Sequence, residues 1–361
     1  MLVLNLLVGA GLFVTAYSGC VPPAEYPLAG IAVLTFPIWL CLTALLLVVD
    51  FIWWRKTSLV LLAAIAATGP MVWATCPLNI GGGIPDGTPV ERVFTLMTYN
   101  TYNFVDRTGE YAGARNPTLS YILDADADVV CLQEVKFFER QPEIFMTGEQ
   151  LDSLHARYPY VVLGGYAGAI LSKYPLTPIR MDTRGEPGSY FDAAGYVLEV
   201  EGRRLAVFSV HMQSYNLSSD DKEAYRDITR LHTDEAGVLR HSVLGKLEQA
   251  ARFRAEQAHM LCRYVEHYGG SNVIVCGDFN DVPGCYTLRT LADIGMREVW
   301  PEVGFGPVWT YNDNRFYFRI DHVLWRGDLR PVDVERGGKR YSDHYPLLTT
   351  FVWDSDAADN R

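Results

Sequence analysis

The sequence predicts a mixed α/β domain of stacked layers behind an apolar, membrane-spanning front section, and three observations carry that prediction. The first 78 residues contain only four charged side chains, Glu25, Asp50, Arg55 and Lys56. These cancel, so the formal net charge of −11 resides wholly in the remainder of the chain. Beyond that point short β-rich runs alternate with helical stretches and hairpin turns, the pattern of a layered α/β protein. Polar residues able to do chemistry recur where those runs end: Asn100, Glu134, His211, Asp278 with Asn280, Asp321 with His322, and Asp343 with His344. One such residue is noise; six such places imply a shared sheet edge.

The front section holds three apolar runs, Leu2 to Ser18, Leu28 to Phe51 (interrupted by Pro37) and Leu59 to Ala74. The second is long enough to cross a bilayer, and the others stand near the lower limit of about 17 residues. Trp39, Trp53, Trp54 and Trp73 supply aromatic ends, so the expectation is three transmembrane helices. The first run lacks the basic start of a cleaved signal and is expected to remain as a helix. Arg55-Lys56, the only basic pair in this section, places the loop between the second and third runs in the cytoplasm. The expected arrangement is an integral inner- or plasma-membrane protein with an extracytoplasmic body. Its parts are an anchor at 1–75, a linker at 76–91, a body at 92–353 and a polar tail at 354–361. The linker (CPLNIGGGIPDGTP in its first part) is Gly/Pro-rich and reads as flexible.

Composition narrows the function. A net-negative body is poorly suited to gripping duplex DNA, which needs clustered Lys and Arg. The seven cysteines show no metal-binding spacing and are expected to be free, with Cys131 and Cys276 inside core strands.

In the body, Val93 to Tyr99 alternates as a strand ending at Asn100. Asn116 to Asp124 reads as a helix before the strand Val129 to Leu132, which ends at Gln133-Glu134. Short strands follow at Tyr160 to Leu163 and Ala169 to Leu171. Tyr196 to Val200 and Arg204 to Val210 form a hairpin around Glu201-Gly202 that ends at His211. Asp220 to Glu266 is charged and largely helical. Val273 to Cys276 is a buried strand that stops at Gly277, and Asp278-Phe279-Asn280 follow it. An acid and an amide two residues apart at a strand end point roughly the same way. That suits a carboxylate taking a proton beside an amide holding an anion. GDFND alone equally fits an Asp/Asn-rich turn, so the other strand ends decide. A helix at Tyr286 to Ile294 and strands around Ile320 and at Leu347 to Val352 complete the body.

From about Arg92 to Trp353 the chain resembles the endonuclease/exonuclease/phosphatase superfamily. The resemblance rests on an ordered set of motifs: TYN at 98–100, LQEV at 132–135, AILSKYPL at 169–176 and SVHM at 209–212. GDFND at 277–281, RIDHVL at 319–324 and SDHYP at 342–346 complete it. It implies a four-layer α/β sandwich, two mixed sheets face to face with helices outside. It also implies roles. Asn100 and Glu134 would hold a divalent metal, Mg²⁺ or Mn²⁺, with Glu134 the main carboxylate. Asp278 would align or deprotonate the attacking water and Asn280 support the phosphate. His211 and His344 would contact phosphoryl oxygens, Asp343 would orient His344 or join a metal, and Asp321 would buttress the catalytic histidine.

The residues themselves agree. Four carboxylates crowded at one sheet edge repel and raise one another's pKa, and a hard dication with oxygen ligands relieves this. His322 reads as a packing residue, Ser172 and Tyr174 as turn and packing residues, and His155, His232, His241, His259 and His267 as surface residues. Tyr102 stands where some nuclease members carry an Asp, which puts a second metal there in doubt. The insertion from Ser214 to Gln257 has a modest apolar stripe (Leu239, Val243, Leu244, Leu247) ringed by Arg240, His241, Lys246, Arg252 and Arg254. It reads as a solvated helix before it reads as a membrane-facing one. The first functional expectation is a membrane-anchored, metal-dependent phosphodiesterase or phosphatase acting on a lipid head group or small extracytoplasmic phosphoester. A nuclease comes second, because basic, strand-tracking loops are not evident. A non-catalytic receptor on the same fold comes last, because the polar set is intact.

Overall fold

Period-two alternation decides where the body's strands put their side chains. In the computed structural model, which describes residues 1–105, 115–135, 146–163, 168–184, 189, 191–215, 236–313 and 316–354, two six-stranded mixed sheets form. The first comprises β1 (Val93–Asn100), β2 (Val129–Gln133), β3 (Tyr160–Leu163), β4 (Ala169–Ser172), β13 (Leu329–Arg336) and β14 (Leu347–Trp353). Its order is β13-β14-β1-β2-β4-β3. The second comprises β5 (Leu176–Ile179), β6 (Asp192–Val200), β7 (Arg203–His211), β8 (Val273–Asp278), β9 (Arg297–Glu298) and β12 (Asp321–Arg326), in the order β5-β6-β7-β8-β12-β9. A hairpin of β10 (Tyr311–Asp313) and β11 (Phe316–Phe318) stands apart from both.

Phe94 and Leu96 of β1 and Val129 and Cys131 of β2 share one core with Leu205 and Val207 of β7, Ile274 and Cys276 of β8, and Val323 and Trp325 of β12. The opposite parity, Met97 and Tyr99 of β1 with Val130 and Leu132 of β2, packs with Leu119, Ile122 and Leu154. These come from α6 (Pro117–Ala125) and α7 (Gly148–Arg157). The fold is therefore two mixed sheets flanked by helices, as expected. Asn116 caps α6 by accepting from the Leu119 N–H at 3.1 Å, and a Thr147/Gln150 capping box starts α7. All seven cysteines are free, and Cys131 and Cys276 are buried in the core.

Continuing each inward parity to the strand end gives Asn100 on β1, His211 on β7, Asp278 on β8 and Asp321 on β12. The register places His211, Asp278 and Asp321 in one row, His211 opposite Asp278 and Asp278 opposite Asp321. Three of the six expected places thus form one row of a single pleated face.

The chain divides into two units. The sandwich belongs to the one made of Pro77–Met212, Met260–Asp281 and Ile294–Arg361. Within it the expected flexible linker is partly fixed. Asn79 Nδ2 donates to the carbonyls of Pro301 (3.1 Å) and Gly304 (2.8 Å), and the Gly83 N–H donates to Val332 O at 2.8 Å. Its Gly/Pro content forbids helix or strand but leaves backbone groups that need partners, and here they find them.

The other unit is Met1–Cys76 with Gln213–His259 and Val282–Asp293. It contains α1 (Leu2–Tyr17), α2 (Pro27–Ala32), α3 (Phe36–Trp53), α4 (Ser58–Ala67), α5 (Gly69–Thr75) and α9 (Tyr286–Asp293), together with the first part of α8 (Ala236–Tyr268). Two stretches, Leu2–Cys20 and Pro27–Trp53, are long and apolar enough to cross a membrane. The third expected span is corrected: Ser58–Ala67 and Gly69–Thr75 meet at 74°, so it counts only if the bent pair is one span. The break falls at Thr68 before Gly69-Pro70, where Pro70 lacks an N–H and its ring clashes with the preceding turn. Inside this unit Asn5 and Asp50 are fully buried and hydrogen-bonded to each other, and Thr57 Oγ1 donates to Asp50 Oδ2 at 2.9 Å. Polar contacts of this kind join apolar helices where water is absent.

Of the insertion, residues 216–235, including His232, lie outside the described residues, as do the side chains of Leu239, Arg240 and His241. Arg254 departs from the expected polar ring. It is fully buried, donates from Nη1 to Gln213 O at 3.0 Å and stacks its guanidinium 4.4 Å from the Tyr215 ring centre.

Candidate active site

The site is assembled from strand ends and the turns that leave them. Asn100 closes β1, and its Nδ2 donates to Glu134 Oε1 and to Asp278 Oδ2, both at 3.0 Å. One amide thereby joins a carboxylate of the first sheet's edge to one of the second. Glu134 follows β2 with φ +54°, a left-handed conformation that turns its side chain out of the strand's alternation. Its carbonyl accepts from the Asn103 N–H (2.7 Å) and from Thr101 Oγ1 (3.1 Å), which hold that turn. Asn280 has φ +50° for the same reason. Its N–H donates to Asp278 Oδ1 at 2.8 Å, and its Nδ2 gives one proton to Met212 O at 3.1 Å, keeping a second.

On the other side His344 Nδ1 donates to Asp321 Oδ2 at 2.8 Å, while its Nε2 lies 3.5 Å from Asp278 Oδ2. His211 Nε2 stands 3.7 Å from Asp278 Oδ2 and 3.8 Å from Glu134 Oε1. The donor atoms of Asp278, Asp321 and His344 all fall within 4.8 Å of one another. Asp343 is half-buried, its Oδ1 3.1 Å from Ser342 Oγ. The structure thus brings together Asn100, Glu134, His211, Asp278, Asn280, Asp321 and His344, with Asp343 adjoining through the Ser342 turn.

Burial, helped by Asp321 and opposed by His344 and His211, raises the Asp278 carboxyl above the usual carboxylate range. For His344 burial works against the charge, but Asp321 and Asp278 outweigh it and hold the imidazole well above its ordinary value. Two acids therefore flank His344 and favour its charged form, while burial disfavours the charge of Asp278.

Three supporting residues were not singled out from the sequence. Ser342 Oγ lies 2.9 Å from Asn100 O and accepts from the His344 N–H at 3.2 Å, so it fixes two site residues at once. Thr310 Oγ1 accepts from the N–H groups of Ile320 and Asp321, both at 3.0 Å. The Tyr311 ring stands edge-on to His344 with centroids 5.0 Å apart. The hydroxyl beside Asp343-His344 is the one cue that a reader could have used.

His322 bonds away from this cluster. It is buried, with Nδ1 2.7 Å from Glu298 Oε1 and Nε2 2.9 Å from Asp281 O, and it backs the turn after Asp278. Ser172 and Tyr174 make a local turn, and His155, His259 and His267 are exposed. Burial pushes the Glu298 carboxyl up, but Arg319 (3.0 Å) and His322 more than offset it and hold it below the ordinary carboxylate range. A depressed carboxylate contributes stability above its unfolded pKa and loses it as pH falls through the lower folded value. Glu298→Gln is expected to cost about 3 kcal/mol at pH 7, as removing one partner of a buried pair does. The difference from wild type should shrink below pH ~4. Denaturant unfolding of both proteins across that range checks it.

The donor set fits a hard divalent cation. Glu134, Asp278 and Asp321 pair with no lysine or arginine among the described residues, and buried Asp321 Oδ1 has no hydrogen-bond partner there. Asn100 presents nitrogen to the acids; its amide turned over would present oxygen.

Comparison with known proteins decides the family. A model described as the Endonuclease/Exonuclease/phosphatase family matches residues 97–344, more than half of the chain. The chain belongs to the endonuclease/exonuclease/phosphatase family. Among solved members, an endonuclease/exonuclease/phosphatase from Beutenbergia cavernae is 19% identical, with a TM-score of 0.50, over 73% of this chain and 72% of that one. A family protein from Bacteroides thetaiotaomicron is 16% identical over 73% of this chain and 98% of that one, with a TM-score of 0.46. A mannosyl-6-phosphatase from the same organism is 15% identical over 72% of this chain and 100% of that one, with a TM-score of 0.44. Residues 1–75 of this family member match a separate model described as a domain of unknown function. The search of curated protein sequences returns no match.

Proposed function

We propose that this family member is a membrane-anchored, divalent-metal-dependent phosphoester hydrolase acting on a lipid head group or a small extracytoplasmic phosphoester. The observation that carries the reading is the row His211–Asp278–Asp321 with His344 bonded to Asp321 and Asn100–Glu134 facing it across the two sheet edges.

Each group has a task in an in-line displacement at phosphorus. Asp278, desolvated and held by Asn100 and by the Asn280 N–H, takes the proton of the attacking water. His344, kept cationic and oriented by Asp321, donates to a phosphoryl oxygen, and His211 does the same from the opposite side of Asp278. The second Nδ2 proton of Asn280 is available to the same anion. Glu134 would hold Mg²⁺ or Mn²⁺ with Asp343 beside it, and Asn100 would join through its oxygen only by turning its amide and giving up its bond to Asp278. Such a cation, when bound, polarises a phosphoryl oxygen and stabilises charge on the leaving group.

The apolar helices support the membrane part of the reading, because they confine the enzyme to a surface where lipid phosphoesters are concentrated. Arg55-Lys56 supports an extracytoplasmic catalytic unit. A second reading, cleavage of a nucleic-acid phosphodiester, has one observation in its favour. Trp309 and Tyr317, 42% and 54% exposed, pair their rings at 5.8 Å on the segment that leads to Tyr311, and bases stack on such surfaces. Full-length protein offered phospholipid vesicles, sphingolipid vesicles, inositol phosphates, and single- and double-stranded DNA separates the two. Preference for a lipid or small phosphoester supports the proposal. Turnover of single-stranded DNA alone would replace it with the nuclease.

A further inference from the structure

We propose that His322 is a positioning residue: held by Glu298 and Arg319, it fixes the Asp281 carbonyl and so aims Asp278 and Asn280; this rests on the phosphoester-hydrolase reading. Every residue involved belongs to the unit that holds the sandwich.

His322 follows Asp321 on β12, so alternation turns its side chain to the face opposite the row of His211, Asp278 and Asp321. Its partner across the ladder is Gly277. Partners in an antiparallel pair share a face, and a glycine leaves room there. Position 277 tolerates nothing larger, since a Cβ on Gly277 (φ +142°) would fall 1.9 Å from Val210 O. The buried imidazole stands edge-on to the Phe279 ring, with centroids 5.5 Å apart. Glu298 meets its Nδ1 at 2.7 Å and Arg319 Nη2 at 3.0 Å, so one carboxylate sets the rotation of the ring. Nε2 is thereby aimed at Asp281 O, 2.9 Å away, and donates to it, since a carbonyl has no proton to give. Packing alone does not call for such a triad. Buried ions are costly where apolar side chains of similar volume are not.

The turn that His322 holds contains the proposed base. The Phe279 N–H donates to Ile320 O at 2.9 Å, and the Asn280 N–H to Asp278 Oδ1 at 2.8 Å. Asn280 Nδ2 donates to Met212 O at 3.1 Å. Those three bonds are made by the turn's own groups, whereas the His322 bond reaches it from outside. Asn280 is left-handed at φ +50°, a conformation that a residue with a Cβ keeps only while its neighbours impose it. Released at Asp281, Asn280 would relax and draw its N–H away from the Asp278 carboxylate. The loss falls on the chemical step, because Arg319, Glu298 and His322 are not among the groups that face the phosphate.

Two substitutions divide the two bonds of the ring. Counted in bonds from Cβ, a glutamine amide nitrogen matches Nε2 and an asparagine amide nitrogen matches Nδ1. His322→Gln therefore keeps Asp281, and His322→Asn keeps Glu298. Full-length protein in nanodiscs is assayed with a soluble chromogenic phosphodiester, the rate taken per folded molecule. Both variants are expected to unfold at lower denaturant than wild type, yet they should part in rate. In His322→Asn kcat should fall about ten- to hundredfold, the effect of a misplacement of about 1 Å, with KM within about twofold. His322→Gln, the conservative variant, should recover most of that loss. Hydrogen exchange of the peptide covering Val273 to Asp281 should accelerate in His322→Asn and much less in His322→Gln. A merely structural histidine would leave both rates unchanged or depress both alike, and either result would overturn the proposal. Should His322→Asn fail to fold, Glu298→Gln carries the test, because its amide nitrogen must face one of two donors and tilt the ring. Its kcat should fall severalfold, and an unchanged kcat would overturn the proposal. A wild type inactive on every phosphoester, with exchange still dividing the two variants, would overturn the hydrolase reading and leave the mechanical link standing. Exchange that does not divide them would remove the link as well.

Discussion

Asp278→Asn is expected to lower kcat by about a thousandfold, within the range that a positioned general base contributes. The substitution keeps the volume of a side chain that is almost fully buried, so the core of the second sheet is not opened. It removes the one anion that faces both histidines, at 3.5 Å from His344 Nε2 and 3.7 Å from His211 Nε2. It also replaces an oxygen that accepts from Asn100 with an amide that must compete for it. Because His344 stays bonded to Asp321, the electrophilic side of the site survives, and KM should change little. Metal affinity should likewise stay within severalfold of wild type. Steady-state kinetics with metal titration, read by calorimetry, separates the two quantities. A variant that loses metal as badly as it loses rate would make Asp278 a ligand, a role its closeness to Asp321 and His344 permits.

Glu134→Gln is expected to do the reverse. Its carboxylate is 28% exposed at the end of β2 and contributes charge rather than packing, so stability should change by no more than about 0.5 kcal/mol. Divalent-metal affinity should fall by more than about a hundredfold, since even residues that only orient a ligand cost ten- to a hundredfold when replaced. Turnover at limiting Mg²⁺ should be nearly abolished, and raising Mg²⁺ should recover part of it. Glutamine tolerates the left-handed backbone at 134 no worse than glutamate, so the turn held by Thr101 and Asn103 should persist. Activity and metal affinity equal to wild type would remove Glu134 from the site.

The parts of the fold that rest on alternation were legible in the residues. Leu205 and Val207, then Ile274 and Cys276, form the inward face of two neighbouring strands, and the same parity carried on reaches Asp278 in one step and His211, past Ser209, in two. Strand β13 was not legible. It carries Pro331, and its register with β14 shifts between Pro331 and Asp333, which is tolerated because it is an edge strand and which hides its period from a reader. Helix α7 was missed because it turns so little apolar surface inward, chiefly Leu151 and Leu154. The third apolar run looked continuous by hydropathy, whereas Gly69-Pro70 bends it for backbone reasons that hydropathy does not see.

The site was legible as a list and not as an arrangement. Motif order named Asn100, Glu134, His211, Asp278, Asp321 and His344, because each is a functional group at the end of an apolar run. That Asn100 bridges two carboxylates, and that Ser342 and Thr310 fix the flanking turns, depends on side-chain directions at left-handed and turn residues. Local sequence does not specify those directions. The linker shows the same limit, since Asn79 finds the Pro301 and Gly304 carbonyls more than two hundred positions away.

The most direct test of the central claim is turnover of a chromogenic phosphodiester by the full-length protein, first with Mg²⁺, then with EDTA, then with Mg²⁺ restored. Hydrolysis that appears with Mg²⁺, vanishes with EDTA, returns on restoration and is lost in Asp278→Asn is the predicted result. Hydrolysis indifferent to EDTA, or no hydrolysis of this or any phosphoester in the substrate panel with either Mg²⁺ or Mn²⁺, would contradict it.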